Sequence, residues 1–164
     1  MFVNQKFRGL NGDLGNFRFI FELGAYSLKP QKNNDIRNGV TTADLVAINK
    51  HILNIDTFTT PHLHLAADIN RDFKISTADL IALRKVILFI NDTFPNNNSW
   101  RFYPKTFNIN QKEPEKLVIK DSIKIILNKI INVDFIGLKV GDLNGSAKPN
   151  SLITAEERSI ITKK

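Results

Sequence analysis

Cysteine is absent from the 164 residues of the chain, which excludes both a disulfide framework and a zinc site built on thiolates. Long apolar runs are also missing, so we expect no insertion into a membrane. Met1 is not followed by the charged and then apolar residues of a secretory signal. The first residues read instead as the middle of a longer protein.

The sequence has few features of an enzyme. It contains no G-x-S-x-G motif, no phosphate-binding loop, and no Cys or Ser nucleophile beside an obvious base. His62 and His64 would share one face of an extended segment, but no third ligand lies near them to complete a metal site. His51 is expected at the surface or boundary of a helix. We therefore predict no catalytic residues in this chain.

The net charge of +7 does not form a basic patch. Residues 1–32 and 93–164 carry balances of +3 and +5, whereas residues 33–92 carry −1. The lysines are scattered, without the Arg-rich, aromatic-interleaved pattern that binds nucleic acid. We expect a solvated surface and no nucleic-acid partner, with non-specific affinity for polyanions as the alternative.

The central segment contains an internal repeat, which indicates a duplicated structural unit. VTTADLVAINKHILNI at 40–55 aligns without gaps on ISTADLIALRKVILFI at 75–90, and nine of the sixteen positions are identical. Each copy opens with Ser or Thr residues that can cap a helix, followed by an Asp that suits its first turn. Apolar residues then recur at helical spacing, at Leu45, Ile48, Ile52 and again at Leu80, Leu83, Ile87. We predict two amphipathic helices that bury these stripes against each other.

Oxygen-bearing residues precede the second helix at the spacing of an EF-hand calcium loop, in DINRDFKISTADL at 68–80. Phe73 stands at position 6, where Gly is expected, and would need a left-handed backbone at a cost of about 1–2 kcal/mol. We expect loop 2 (residues 68–79) to bind Ca²⁺ despite this strain. Its ligand positions 1, 3, 5, 7 and 12 hold Asp68, Asn70, Asp72, Lys74 (through its carbonyl) and Asp79.

The same frame moved back by 35 residues defines a poorer loop before the first helix, loop 1 (residues 33–44). Arg37 can contribute only its carbonyl, and its guanidinium lowers the affinity for a cation. Asn38 tolerates the left-handed region, and a glycine follows it. We expect loop 1 to bind Ca²⁺ weakly or to stay empty. Its ligand positions hold Asn33, Asp35, Arg37, Gly39 and Asp44.

These patterns resemble the type I dockerin repeat, in the variant found in large secreted surface proteins of Bacteroidetes-type bacteria. The resemblance covers residues 33–147. It implies two calcium F-hand units, each a loop followed by a single helix, and paired EF-hand-like loops would add a short β contact between Val40 and Ile75. The motifs that carry it are D-x-N-x-D-x-x-I-S-T-A-D-L from Asp68, NGVTT and HIL in the first copy, FPNNNSWRF at 94–102 and DFIGLKVGDLNGSA at 134–147.

The resemblance also implies a partner surface. A cohesin domain recognises the dockerin residues just before the closing Asp and exposed helix positions further on. A near two-fold pair of such surfaces would let one partner bind in two orientations, although ordinary helix starts without any partner explain the small residues equally well. Carried onto this chain, the positions are Thr42, Ala43, Lys50 and His51 in the first copy and Thr77, Ala78, Lys85 and Val86 in the second.

The flanking segments favour β structure. GNFRFIFELGAYSLKP at 15–30 predicts a hairpin, which resembles the last two strands of an Ig-like (CNA-B or carboxypeptidase-regulatory-like) domain. A native hairpin packed on the helices is the alternative. Residues 105–133 are poorly patterned, and the resemblance favours extended structure there. DFIGLKVGDLNG is expected to pack back on the repeat and end in a turn at Asp142 and Asn144, where a third metal site would lack a closing acid.

We therefore predict an α+β chain with a mainly α central module. Residues 1–32 would be the tail of a truncated Ig-like domain, and residues 33–92 the dockerin-like tandem repeat. Residues 93–147 would be an extension of the module, and residues 148–164 a linker or the start of another domain.

The expected function is that of a calcium-stabilised, non-catalytic interaction module in a secreted or cell-surface multidomain bacterial protein. Its expected partners are a cohesin-like domain and the neighbouring Ig-like domains of the same chain. One alternative is a fragment of a polysaccharide-degrading glycoside hydrolase whose catalytic domain lies elsewhere. The other is a structural spacer between Ig-like domains.

Overall fold

A computed structural model of the chain describes residues 22–107, 121–148 and 160–163. These residues contain three helices and two small antiparallel sheets. This content is that of an α+β protein. The helices are α1 (Thr42–Ile52), α2 (Pro61–Ala67) and α3 (Thr77–Ile87). The strands are β1 (Gly24–Lys29), β2 (Trp100–Pro104), β3 (Ile123–Leu127), β4 (Phe135–Lys139) and β5 (Ile160–Lys163).

Helices α1 and α3 begin at equivalent positions of the repeat, each behind a capping box. Asp44 accepts the backbone N–H of Thr41 at 2.8 Å, and Asp79 accepts that of Ser76 at 2.9 Å. The predicted apolar stripes meet in one core, which confirms this part of the sequence analysis. At its centre Ile48 and Leu83 are fully buried, and around them pack the half-buried Leu45, Ile52, Leu80 and Ile87.

The same core takes residues from outside the repeat. Val140, which directly follows β4, is completely buried, and so is almost all of Phe94. Gly141 donates its N–H to the carbonyl of Ala66 at 2.9 Å, which ties the end of β4 to α2. The segment after residue 134 therefore packs back on the helices, as expected.

The strands pair over long sequence distances. In the two-stranded sheet, β2 pairs with β4 so that Trp100 lies opposite Lys139. In the three-stranded sheet the order is β3-β1-β5, with β1 in the centre. Strand β3 confirms extended structure within residues 121–133, whereas 108–120 lie outside the described residues. The first strand of the predicted hairpin, residues 17–21, also lies outside them, and β1 pairs with β3 and β5.

Several local expectations are wrong. Helix α2 ends at Ala67, directly before loop 2, so this loop has a helix on both sides rather than only after it. Val40 and Ile75 form no β bridge with each other, although both side chains pack in the hydrophobic core. None of the helices in the described ranges is long and apolar enough to cross a membrane.

His62 and His64 do not share one face, as they would in an extended segment. His62 and His64 lie on α2 instead of an extended segment, and residues two apart on a helix face different directions. The His62 ring lies 6.0 Å from that of Tyr103, whereas the His64 ring lies 5.2 Å from that of His51.

Candidate calcium-binding site

Loop 2 gathers oxygen side chains at the junction of α2 and α3. Asp68 caps the C-terminal end of α2, Asp79 stands in the first turn of α3, and the two are 5% and 0% exposed. The two oxygens of Asp68 accept the N–H groups of Asp72 at 3.0 Å and Phe73 at 3.2 Å. Asp79 Oδ1 accepts the N–H of Ile69 at 2.8 Å. The loop therefore curls around a buried carboxylate at each of its ends.

The middle of loop 2 adds two more oxygen-bearing side chains. Asn70 Oδ1 accepts the N–H of Asp72 at 2.9 Å, and Asn70 Nδ2 donates to Asp72 Oδ2 at 2.9 Å. Asp72 Oδ1 accepts the N–H of Lys74 at 2.9 Å. Each accepting oxygen keeps a further lone pair. The backbone N–H groups thus orient these oxygens in the way that outer-shell hydrogen bonds orient metal ligands.

The backbone of loop 2 confirms the strained turn. Phe73 has a φ of 66°, and Arg71, two residues earlier, has a φ of 60°. Neither residue type favours this left-handed region. Since Phe73 is 42% exposed, burial of its ring does little to offset the strain.

Burial raises the pKa of Asp68 and of Asp79, and loss of water is the largest cause for both. Hydrogen bonds from the loop N–H groups act in the opposite direction. The negative charge of Asp72 raises both pKa values further. The loop 2 carboxylates therefore repel one another, and a divalent cation among them would relieve that repulsion.

The donor set of loop 2 consists of oxygen atoms only, which is the set that Ca²⁺ prefers. In the part of the chain that the structure describes, no three His, Cys, Asp or Glu side chains converge closely enough to hold an ion by themselves. An ion in loop 2 therefore needs the Asn70 amide oxygen and the Lys74 carbonyl as well as the carboxylates. With these included, the residue types of loop 2 match the oxygen donors that Ca²⁺ takes.

In loop 1 the side chains at the first two ligand positions already contact other protein groups. Asn33 Oδ1 accepts the N–H of Ser99 at 2.8 Å, and the Asp35 carboxylate lies 3.4 Å from the ammonium of Lys32. The left-handed residues here are Asp35 (φ 53°) and Gly39 (φ 73°), so the expectation that Asn38 takes this conformation is wrong. At its first two ligand positions loop 1 thus contacts residues outside the loop, whereas the oxygens of Asp68 and Asn70 accept N–H groups of loop 2 itself.

Arg37, at position 5 of loop 1, reaches the C-terminal end of α3 instead of facing the loop. Its Nε donates to the carbonyl of Val86 at 2.9 Å, and its Nη2 donates to the carbonyl of Asn91 at 3.1 Å. The same Nη2 lies 2.6 Å from a carboxylate oxygen of Asp92. A positive charge is favourable at a helix C-terminus. Arg37 therefore clamps the first repeat to the second.

Two residues outside the repeat hold the beginnings of both loops. Asn97 is buried and donates through Nδ2 to the carbonyls of Asp68 at 3.0 Å and Ile69 at 3.3 Å. Ser99 donates through Oγ to the carbonyl of Asn34 at 2.6 Å. From the sequence alone, FPNNNSWRF was interpreted only as a flanking motif. Its polar residues lie between the buried aromatic residues Phe94 and Trp100, and this pattern could have indicated that they hold other segments in place.

The predicted partner positions are mostly exposed. Val86 is the exception: it is completely buried, three residues after Leu83 on the core face of α3, so its prediction as a partner residue is wrong. His51 is half-buried and stacks on Phe58, with 4.3 Å between the ring centres. The exposed members are Thr42, Ala43, Lys50, Thr77, Ala78 and Lys85.

Exposed apolar side chains recur at equivalent positions of the two copies, which the sequence analysis did not predict. Their exposed fractions are nearly equal within each pair. In the sequence these residues are apolar but do not fall at the helical spacing of the predicted apolar stripes. The pairs are Val46 and Ile81 (55% and 55%), Leu53 and Leu88 (58% and 59%), and Ile55 and Ile90 (69% and 65%).

Loop 2 thus brings donor oxygens together, and the duplicated exposed residues lie on α1 and α3 and in the turns that follow these helices. Comparison with protein-family models, with curated proteins and with solved structures finds no match for the chain.

Proposed function

We propose that the chain is a calcium-stabilised, non-catalytic interaction module of the dockerin type, from a secreted or cell-surface multidomain protein. The observation that carries the proposal is loop 2, where two buried carboxylates and two further oxygen side chains stand at EF-hand spacing. The central unit would be mainly α, with two loop-helix repeats in residues 33–92 flanked by β segments.

The partner that we propose is a cohesin-like domain. The Thr-Ala pair at the start of α1 and of α3 is exposed in both copies. Val46 and Ile81 add an equally exposed apolar residue one turn further along each helix. Two equivalent surfaces, each with an apolar centre and polar neighbours, are consistent with docking in two orientations.

Calcium is expected to raise the melting temperature of the chain. Binding to the folded state alone stabilises it by RT ln(1 + [L]/Kd), about 2.7 kcal/mol when calcium exceeds Kd a hundredfold. The variant with both Asp68→Asn and Asp72→Asn removes two charges from loop 2 and leaves the N-terminal capping boxes of α1 and α3 intact. The difference between melting in millimolar calcium and melting in EDTA should be clearly smaller for this variant than for the unmodified chain.

Asp56→Asn is the matched control, because Asp56 is exposed and lies outside both loops. It should keep the full calcium effect. Equal melting temperatures of the unmodified chain in calcium and in EDTA would contradict the proposal.

Docking is tested separately, with the cohesin-like domains of the same organism as purified probes. The unmodified chain, Ala43→Arg and Ala78→Arg should each bind in calcium, because one intact surface suffices. The variant with both substitutions should not bind. If the double variant binds as well as the unmodified chain, or if the unmodified chain binds none of the probes, the spacer alternative is correct.

A further inference from the structure

We infer that a second calcium site is split between two distant segments, with its first three ligand positions in residues 142–146 and its last two in loop 1. The split site consists of the side chains of Asp142, Asn144, Ser146 and Asp44 and the carbonyl of Gly39. This inference rests on the proposed function, because loop 2 supplies the pattern with which the split site is compared.

The spacing of residues 142–147 repeats the first half of loop 2. Asp142, Asn144 and Ser146 stand at every second position, as do the three ligands that open loop 2. The fourth position is left-handed in both segments, with a φ of 70° at Gly145 and 60° at Arg71. A side-chain oxygen is available at positions 1, 3 and 5 of each segment.

Three hydrogen bonds within residues 142–147 have counterparts at the same spacing in loop 2. Asp142 accepts the N–H groups of Ser146 at 3.1 Å and Ala147 at 2.9 Å, four and five residues ahead, as Asp68 does in loop 2. Asn144 Oδ1 accepts the N–H of Ser146 at 3.0 Å, two residues ahead, as Asn70 does. Residues 142–147 are therefore folded as the first half of a calcium loop.

Asp44 supplies the closing acid that this segment lacks in its own sequence. Asp44 Oδ1 accepts the N–H of Leu143 at 2.8 Å, and Asp79 Oδ1 accepts the N–H of Ile69 at 2.8 Å. Leu143 follows Asp142 as Ile69 follows Asp68. Asp44 thus has the same relation to Asp142 that the closing acid of loop 2 has to its first ligand.

Gly39 supplies the backbone position between them. It precedes Asp44 by five residues, as Lys74 precedes Asp79, and its carbonyl accepts the Ser146 hydroxyl at 3.0 Å. A Cβ added to Gly39 would lie 2.5 Å from the backbone nitrogen of Ala147. Only glycine allows the two segments to come this close, and the closeness brings both halves of the ligand set together.

Burial and charge are compatible with a cation at the split site. Asp44 is 1% exposed and accepts hydrogen bonds from Thr41 and Leu143, and among the described residues neither Asp44 nor Asp142 lies within 4.0 Å of a Lys or Arg nitrogen. The positive charge of Lys139 acts on both carboxylates from a longer distance, and its ammonium donates to the carbonyls of Ile36 and Val140 at 2.9 Å each. A divalent cation bound between Asp44 and Asp142 would be the close charge partner that both carboxylates lack.

The test is the calcium stoichiometry of the full chain, measured by calorimetry after treatment with EDTA. The unmodified chain should bind two ions. Asp142→Asn should weaken one site at least tenfold and leave the other unchanged, and Asp68→Asn should do the reverse. Asp35→Asn is the matched control: it removes the only other carboxylate of loop 1 and should leave two sites. Asn144→Ala, at an exposed position, replaces Asp142→Asn if that variant does not fold in EDTA.

Each other outcome has a definite meaning. A single site that Asp68→Asn removes would overturn the split site and leave the proposed function standing. A second site that is lost with Asp35→Asn and kept with Asp142→Asn would assign that ion to loop 1 alone, and this also overturns the inference. Absence of calcium binding in the unmodified chain would refute the proposed function itself.

Discussion

Phe73 has a left-handed backbone at the tightest point of loop 2, with 42% of its surface exposed. We predict that Phe73→Gly is more stable than Phe73→Ala by about 1 kcal/mol, because only glycine removes the strain of the Cβ atom. The two variants lose the same ring, so the comparison isolates the backbone. Urea unfolding in EDTA measures the difference, and equal stabilities would show that Phe73 is unstrained.

Lys139 has an ammonium group that is almost fully buried, and this burial lowers its pKa from 10.5 to about 8. In the unfolded chain the group keeps its proton to higher pH, so the unfolded state binds more protons between these two values. The free energy of unfolding should therefore rise as the pH increases from about 8 toward about 10, by roughly 2–3 kcal/mol at most.

The matched comparison for this pH dependence is Lys139→Met, which keeps the length of the side chain and removes the titrating group. Both chains are unfolded with denaturant in EDTA, and the contribution of all other titrating groups cancels in the difference between them. The rise should be absent from Lys139→Met. If both chains respond equally to pH, another group is responsible.

Helix α3 depends on a residue from the other copy of the repeat, because Arg37 binds the carbonyls at its C-terminal end. Arg37→Met should lower the free energy of unfolding by about 1–2 kcal/mol, through loss of hydrogen bonds from a charged donor at a helix terminus. Arg84→Met is the control, since Arg84 is exposed on α3 itself. It should cost much less, and equal losses would refute the clamp.

The elements that the sequence predicted correctly are those that local chemistry determines. The apolar spacing from Leu45 and from Leu80, with an Asp in the first turn, is enough to predict α1 and α3. The role of Arg37 was not predictable, because its partner Val86 is 49 residues away and position 5 of a loop suggests a ligand. Strand β1 was predicted, but its partners β3 and β5 were not, since strand pairing depends on contacts across the whole chain.

At the scale of the whole molecule, loop 1 meets the segment that follows β4 where Gly39 lies against Ala147. We predict that Gly39→Ala costs about 2 kcal/mol or more, because it adds a steric clash to the backbone strain of a positive φ. Gly145→Ala is the control, since its φ is also positive (70°) but no atom lies within 4 Å of an added Cβ. It should cost about 1 kcal/mol.

Chemical denaturation of both glycine variants in EDTA gives the two costs. Equal losses would mean that the contact between residues 39 and 147 contributes nothing. The nearby hydrogen bond between Asp44 and Leu143 was equally hidden in the sequence. The two residues are 99 positions apart, and no local pattern joins segments that meet only in the folded molecule.

The register of β1 and β5 determines how the molecule responds to mechanical tension. Tyr26 lies opposite Lys163, and Lys29 lies opposite Ile160, so the chain enters β1 and leaves β5 at the same end of the ladder. A pulling force applied there loads the hydrogen bonds one after another instead of all together. The pair should open like a zipper at low force. On the N-terminal side the load then reaches the β1–β3 ladder. On the C-terminal side it reaches residues 142–148, where Asn38 holds the backbone of Lys148 through two hydrogen bonds of 2.7 and 3.0 Å.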